Sequence, residues 1–407
     1  MKRKFVDFKV LTASLCCAVV MGIISFVFLK MLGLSSIFRE YFPYCIWFLP
    51  LSGMLTAFVY KKYGGESSKG NNLIIQSANE GVKVPKRLAV LTFFFTLLTH
   101  FSGGSAGREG TAVQIGGALT SNVADKFGFK KEDRKTIILS GLSSAFGSVF
   151  GTPLAGAFFG MEVCCIGQLS ASAVIPCFLS SYLANAVTLL LGATHEVHTI
   201  ASVPNFDFKL ILIFVSASVF FGLLGKLFAL AVKYLKLLYA KIFKNTVLSA
   251  LAGSVVVTLL IILLNLNKYE GLSTWQQTTA FEGNANWYDM PVKFILTTLT
   301  HGAGLHGGEV TPLFDIGASF GGWYANLFGI EPSFLAAIGL ICVFGSAANT
   351  PITTIMLGIE LFGAEAAPYF VFASLISFIA SGKSGIYSSQ ERKLSKSLFS
   401  AKADFSE

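Results

Sequence analysis

Residues 107–117 read GREGTAVQIGG, and residues 307–317 read GGEVTPLFDIG. Glu109 stands against Glu309 and Thr111 against Thr311, at an offset of 200. A second pair lies downstream of each. GTPLAGAFFGMEV at 151–163 matches NTPITTIMLGIEL at 349–361 at an offset of 198, with Thr152 against Thr350, Pro153 against Pro351, Gly160 against Gly358 and Glu162 against Glu360. Either pair alone is weak evidence. Both pairs, in the same order and at nearly the same spacing, indicate a duplicated unit.

The medium this unit is built for follows from composition. The 407 residues are 53% hydrophobic and 13% charged, with mean hydropathy +0.66. Soluble domains carry about 25% charged residues, so the chain falls in the membrane class. Residues 9–33, 44–60, 88–101, 172–194, 209–233 and 247–266 are apolar enough to be spans or near-spans. The segments at 111–124, 136–150, 152–166, 310–328, 334–344, 350–362 and 366–380 are shorter and interrupted by glycine. Short helices at membrane depth require burial in protein or a cavity beside them. A bundle of straight helices is therefore not expected. The basic start MKRKFVDFKV precedes an apolar run without a small-residue cleavage site, so it is read as a retained first helix. The seven cysteines sit in apolar segments without metal-ligand spacing and read as small buried hydrophobes.

Charge placement orients the two halves. Basic residues cluster at the N-terminus, at 61–69, 126–135 and 233–244, and after Gly382. These read as loops flanking spans on the cytoplasmic side, with both termini there too. Nucleic-acid binding is not implied. The loop 126–135 holds five basic residues, whereas its counterpart 326–334 holds none and one glutamate. The two loops are expected on opposite faces, which makes the repeats inverted. The first is read over about 40–206, the second over about 207–380, and a C-terminal segment over 381–407. Such an architecture places substrate near the midplane, where broken helices of the two halves meet.

Between Arg87 and Asp125 the only full charges are Arg108 and Glu109. A helix beginning near Thr111, opened by Gly107 and Gly110, offers free N–H groups and a dipole to an anion. The stretch 307–312 offers a second such end. KGNNLIIQ at 69–76 offers a third, where Asn71 and Asn72 either cap the helix or donate to a ligand. Glu109 is itself an anion and can occupy the same field. Protonated, it is neutral and can leave, which would couple anion occupancy to proton transfer. Arg108 reads as an orienting or snorkelling partner. Glu162 and Glu360, repeated at helix ends, read as structural. His301 and His306, five residues apart in HGAGLHGGE, lack the spacing and third ligand of a metal site, so both read as loop residues and no metal is expected.

These motifs resemble the CLC chloride channels and transporters. GREGTAVQIGG is similar to their Gly-x-Glu-Gly-Pro signature, GGEVTP to their second anion-site motif, KGNNLI to Gly-Ser-Gly-Ile-Pro, and SGKSGIYSS at 381–389 to the segment with their anion-coordinating tyrosine, here Tyr387. The resemblance runs from about residue 60 to 390. It implies an all-α polytopic fold with two inverted-topology repeats, a homodimer in the lipid bilayer with one anion pathway per subunit, and Glu109 as the gate. Thr111 stands where the signature has proline, Asn71 where it has serine, Glu309 and Val310 where it has an apolar residue and Phe, and Val163 where chloride/proton exchangers carry a relay glutamate. This combination resembles the bacterial fluoride/proton antiporter branch, of the inner membrane. The 20 residues after Tyr387 are too few for the family's nucleotide-binding regulatory domains.

The expected function is therefore export of fluoride in exchange for protons, without enzymatic activity or cofactor. Proton transfer is expected at Glu109 and Glu309, and anion binding at Asn71, Gly110, Thr111, Val310, Thr311 and Tyr387. Two carboxylates on one pathway repel, which lets one carry a proton near neutral pH. Thr311 and Tyr387 are expected to hydrogen-bond Glu109 when it swings inward. A chloride/proton exchanger and a passive anion channel are the alternatives.

Overall fold

The computed structural model of the chain describes residues 7–205 and 207–392. Within them sixteen α-helices run in two sets of eight, in matching order. The first set is α1 (Phe8–Tyr41), α2 (Leu49–Val59), α3 (Asn71–Glu80), α4 (Arg87–Phe101), α5 (Glu109–Lys126), α6 (Lys131–Phe150), α7 (Pro153–Glu162) and α8 (Val174–Leu190). The second is α9 (Phe208–Ile242), α10 (Thr246–Leu263), α11 (Trp275–Phe281), α12 (Asp289–Gly302), α13 (Val310–Phe328), α14 (Pro332–Ala348), α15 (Pro351–Phe362) and α16 (Ala367–Ala380). A pair of two-residue strands, Cys165–Ile166 and Glu391–Arg392, ties the end of the described chain to the first half.

Contacts at the helix ends give the direction of each half. Lys61 Nζ donates to Asn245 Oδ1 at 3.4 Å, so the start of α10 lies on the face that carries Lys61. Arg39, near the end of α1, pairs with Glu270 just beyond α10, so that end lies on the opposite face. The start of α1 is therefore on the Lys61 face. Val10 there packs with Ala124 near the end of α5, which puts the end of α5 on that face too. The end of α13 goes the other way. Lys209 Nζ donates to the Phe328 carbonyl at 3.1 Å, and α9 runs from Lys209 back to the Lys61 face. Thus α5 and α13 point to opposite faces, and the repeats are inverted.

Helix lengths follow burial. The long apolar helices α1, α9 and α10 leave wide faces outside the protein, as lipid-facing spans do. The short helices sit inside. In α14 every residue from Ser333 to Ala348 is buried, and α13 and α14 approach so closely that a Cβ on Gly317 would lie 2.1 Å from the Gly339 carbonyl oxygen. Small residues let backbones pack in this way where lipid provides no hydrophobic drive between helices. At the end of α5, Arg134 ties three elements together. Its Nε pairs with Asp125 at 2.7 Å, and its other nitrogens reach the Ser77 carbonyl, the hydroxyls of Ser77 and Ser121, and the Val82 carbonyl.

Three expectations shift. The basic run 233–244 is not a loop, because α9 continues to Ile242 and carries Lys233, Lys236 and Lys241 on its last turns. His301 is not a loop residue but lies in α12; only His306 is in the loop that follows. The helices α11 and α12, too polar to stand out as spans, went unmarked. The expectations for residues 1–6 and 393–407 lie outside the described residues.

Candidate functional site

The starts of α5 and α13 meet inside the protein. Gly107 and Gly308 form a one-residue antiparallel bridge, N–H to carbonyl at 2.6 Å one way and 2.7 Å the other. No side chain fits there, since a Cβ on Gly308 would lie 2.9 Å from the backbone of Gly107, Arg108 and Gly110. Each bridge carbonyl also accepts from a buried histidine of its own repeat: His100 Nε2 to Gly107 at 3.1 Å, His301 Nε2 to Gly308 at 3.2 Å. A carbonyl only accepts, so both rings carry their proton on Nε2.

Glu109 is the first residue of α5 and is wholly buried. Its Oε2 accepts from the Thr311 N–H at 3.1 Å and from the Thr311 hydroxyl at 2.5 Å. Its Oε1 pairs with Arg108 Nε at 3.1 Å. The carboxylate of one repeat therefore occupies the first turn of the other repeat's helix. That turn has unpaired N–H groups and the positive end of a helix dipole, the ordinary requirements for holding an anion.

Two cavities flank this point. On the Lys61 face a vestibule of about 600 Å³ is lined by Tyr60, Lys69, Asn71, Lys236, His306, Glu309 and Tyr387, among others. On the other side lies a cavity of about 30 Å³, lined by Arg108, Glu109, Glu196, His198, Gln277 and Thr311 with apolar neighbours. Glu109 touches the small cavity and Glu309 the vestibule, so the two carboxylates lie on opposite sides of the Gly107–Gly308 bridge.

The expected site residues divide accordingly. Glu309 is half-buried at the N-cap of α13, and no hydrogen bond to its side chain is found among the described residues. Asn71 does not cap α3. The cap position is Gly70, no side-chain bond closes the turn, and the Asn71 Oδ1 is buried without a partner. Asn72 is used elsewhere, accepting from the Ser389 N–H at 3.0 Å. Gly110 faces Gly308, with the Asn71 amide nitrogen beside it. The Thr111 hydroxyl is shared with Thr96 of α4 at 2.8 Å, which leaves its backbone N–H for any ligand. Val310 is packed in the main core. Tyr387 is buried beside Asn71 and Val163 around a cavity of about 10 Å³. Among the described residues Tyr387 has no hydrogen bond to Glu109; only Thr311 of the two expected partners makes one. His306 stacks on Tyr60 with ring centroids 4.0 Å apart.

Three groups escape the sequence reading. The first is the histidine pair, although THFSGG at 99–104 and THGAGL at 300–305 extend the repeat upstream and were there to be seen. The second is the buried pair Lys293–Asp315 at 3.5 Å, which holds Gln277 through a 2.7 Å bond from Gln277 Nε2 to Asp315 Oδ1. The third is the loop between α8 and α9, which brings Glu196 and His198 to the small cavity and packs the His195 ring against Gly151. Burial lowers the His195 imidazole to about 4, with Arg108 acting the same way and Glu109 against it. Burial also lowers His198, opposed by Glu196.

The family model for voltage-gated chloride channels matches residues 52–382. The chain belongs to this CLC family. Among relatives of the CLC chain, a chloride/fluoride channel protein of Pseudomonas syringae pv. tomato is 38% identical over 380 residues, covering 92% of this chain and 84% of that one. An H(+)/Cl(-) exchange transporter ClcA of Vibrio cholerae is 26% identical over 325 residues, covering 75% and 69%. Among solved structures, a CLC-type fluoride/proton antiporter superposes with TM-score 0.89 at 33% identity, covering 94% of this chain and 98% of that one. A slow cyanobacterial Cl-/H+ antiporter superposes with TM-score 0.79 at 17% identity and shares the CLC fold.

Proposed function

We propose that this CLC protein exports fluoride across the bacterial inner membrane in exchange for protons, with Glu109 as the protonatable gate. One observation carries the reading: the Glu109 carboxylate sits where an anion would sit, on the N–H and hydroxyl of Thr311 at the head of α13. Anion and carboxylate compete for those donors. A proton removes the charge of Glu109 and turns one of its accepting sites into a donor. The side chain then leaves and fluoride takes the donors. When the proton is lost on the other side, the carboxylate returns and displaces the anion. Occupancy and protonation are coupled because the two anions cannot share one helix end.

Selectivity is assigned to the donors along the route. Fluoride is small and strongly hydrated, so a site that strips its water must return strong hydrogen bonds. The Asn71 amide is freed from capping duty, and the first-turn N–H groups of α5 and α13 are of that kind. Glu309, open to the vestibule, takes the place in proton transfer that Val163 leaves empty. Similarity to the fluoride/proton antiporter structure and to the chloride/fluoride channel protein supports fluoride over chloride. The basic face with Lys61, Lys69, Lys236 and Lys244 is assigned to the cytoplasm by the positive-inside rule. The working unit is inferred to be a homodimer with a pathway in each subunit. We place the start of the first repeat at α1 rather than near residue 40, since α1 at Phe8 answers α9 at Phe208.

Purified protein in liposomes, with fluoride, chloride and pH recorded together, tests the assignment. Fluoride-selective efflux with proton uptake supports it. Chloride moving as fast as fluoride would make the protein a chloride/proton exchanger. Anion flow without protons would make it a passive channel.

A further inference from the structure

The reading above needs protons to reach Glu109 from the outer side, where the small cavity touches it. THEVH at 194–198, in the loop between α8 and α9, meets that cavity through Glu196 and His198. Glu196 is exposed and accepts from the Thr274 hydroxyl at 2.7 Å. His198 is half-buried and stacked on Phe281, with ring centroids 4.8 Å apart. Its Nε2 is shielded from solvent and has no hydrogen-bond partner. A buried ring nitrogen without a partner is uncommon and calls for a bridging water. The cavity of about 30 Å³ beside it has polar groups in its wall and is large enough for about one such water. Its other polar walls include Arg108, Gln277 and the Glu109 carboxylate itself.

We propose that Glu196 and His198 form an outer proton port, in which His198 passes protons through a cavity water to Glu109. This inference rests on the antiport reading and adds the route to it. The step balances. His198, protonated from the outer solution, gives its Nε2 proton to the water as that water gives one of its own to the Glu109 carboxylate. One N–H and one water O–H bond break, one water O–H and one carboxyl O–H form, and the products are neutral imidazole, water and carboxylic acid. Glu196, a carboxylate on the same loop, favours protonation of His198.

The groups facing His198 set its response to pH. Glu196 and His195 lie on its own loop, Arg108 and Glu109 at the head of α5, and Asp315 of α13 with Lys293 of α12 behind Gln277. The imidazole is neutral at neutral outer pH and loads as that side is acidified. Coupled transport therefore rises with outer acidity.

The test uses full-length protein in liposomes loaded with fluoride, with outer pH stepped from neutral to mildly acidic. Fluoride efflux and proton uptake are read for the unaltered protein, His198→Asn and Glu196→Gln, and for both substitutions in a Glu109→Ala background. His198→Asn is expected to slow coupled efflux about tenfold and flatten its pH dependence, less than the ~10²–10⁴ of a positioned general acid because water also reaches the cavity unaided. Glu196→Gln is expected to move the pH profile to lower pH. Neither should alter anion flow in the Glu109→Ala background, which also shows that the variants fold. Unchanged pH profiles in both single variants would overturn the port, as would equal slowing in the Glu109→Ala background. Proton-free fluoride flow in the unaltered protein would instead remove the antiport reading on which the port rests.

Discussion

At the scale of one residue, Glu109 is held by two partners of different kinds. Arg108 is its neighbour in sequence and moves with it, so that ion pair is weak as a restraint on position. Thr311 belongs to the other repeat and fixes where the carboxylate lies. A hydrogen bond to a charged group contributes about 1.5–3 kcal/mol. Thr311→Val keeps the N–H and removes a donor that carboxylate and fluoride share, so in the Glu109→Ala background, where fluoride has no competitor, it should weaken fluoride binding by about that much, about tenfold or more. Isothermal titration of fluoride into the purified double variant checks this, and unchanged or tighter binding would count against the shared site. Glu109 was legible in the sequence as a charge beside Gly110, and Thr311 as the repeat counterpart of Thr111. Their bond to each other was not, because it crosses 202 positions and depends on how the halves fold together. Asn71 was legible only as a choice between cap and ligand. The structure removes the cap and leaves a buried, unpaired amide oxygen.

At the scale of helices, the repeat pairs its parts across the middle of the molecule. Glu162 at the end of α7 accepts from the Ile352 and Thr353 N–H groups that open α15, at 2.9 and 2.7 Å. Glu360 of α15 accepts from the Leu154 and Ala155 N–H groups that open α7, both at 2.8 Å. Each helix caps the start of the other, which is why the sequence showed two glutamates at equivalent ends. Glu162→Ala or Glu360→Ala should each cost about 1.5–3 kcal/mol, as loss of a charged hydrogen-bonding partner does. Thermal unfolding in detergent measures that loss. The histidine pair acts on the bridge between α5 and α13 in the same symmetric way. His100→Leu and His301→Leu each leave a buried glycine carbonyl one bond short, worth about 1–3 kcal/mol. Lowered midpoints of similar size are expected, and a variant as stable as the unaltered protein would show that the bridge does not need its histidine. Sequence periodicity found the long helices but not their ends, because Lys233, Lys236 and Lys241 look like loop residues yet extend α9 towards water.

At the scale of the whole molecule, inversion explains the distribution of charge. One face gathers Lys61, Lys69, Lys236 and Lys244 around a wide vestibule, while the other offers a cavity the size of a water. A basic mouth raises the local anion concentration, and salt screens that effect over about 8 Å at physiological ionic strength. Lys69→Gln combined with Lys236→Gln should therefore slow fluoride efflux at low ionic strength, and the difference should shrink as salt is added. A deficit independent of salt would mean that these lysines act by contact and not by field. The inversion was legible from two matched loops of unlike charge. The buried pair Lys293–Asp315 and the outer loop were not, because single polar residues in weakly patterned segments carry no periodic signal. The family relationship was legible from four short motifs in order, since each marks a helix end that the backbone must form in only one way.

The central claim is that one site alternates between fluoride and Glu109 under the control of a proton. Simultaneous recording of fluoride and pH in liposomes tests it most directly, comparing the unaltered protein with Glu109→Ala. The account predicts fluoride efflux with proton uptake in the first, and no fluoride-driven proton movement in the second. Proton uptake that persists in Glu109→Ala would contradict it.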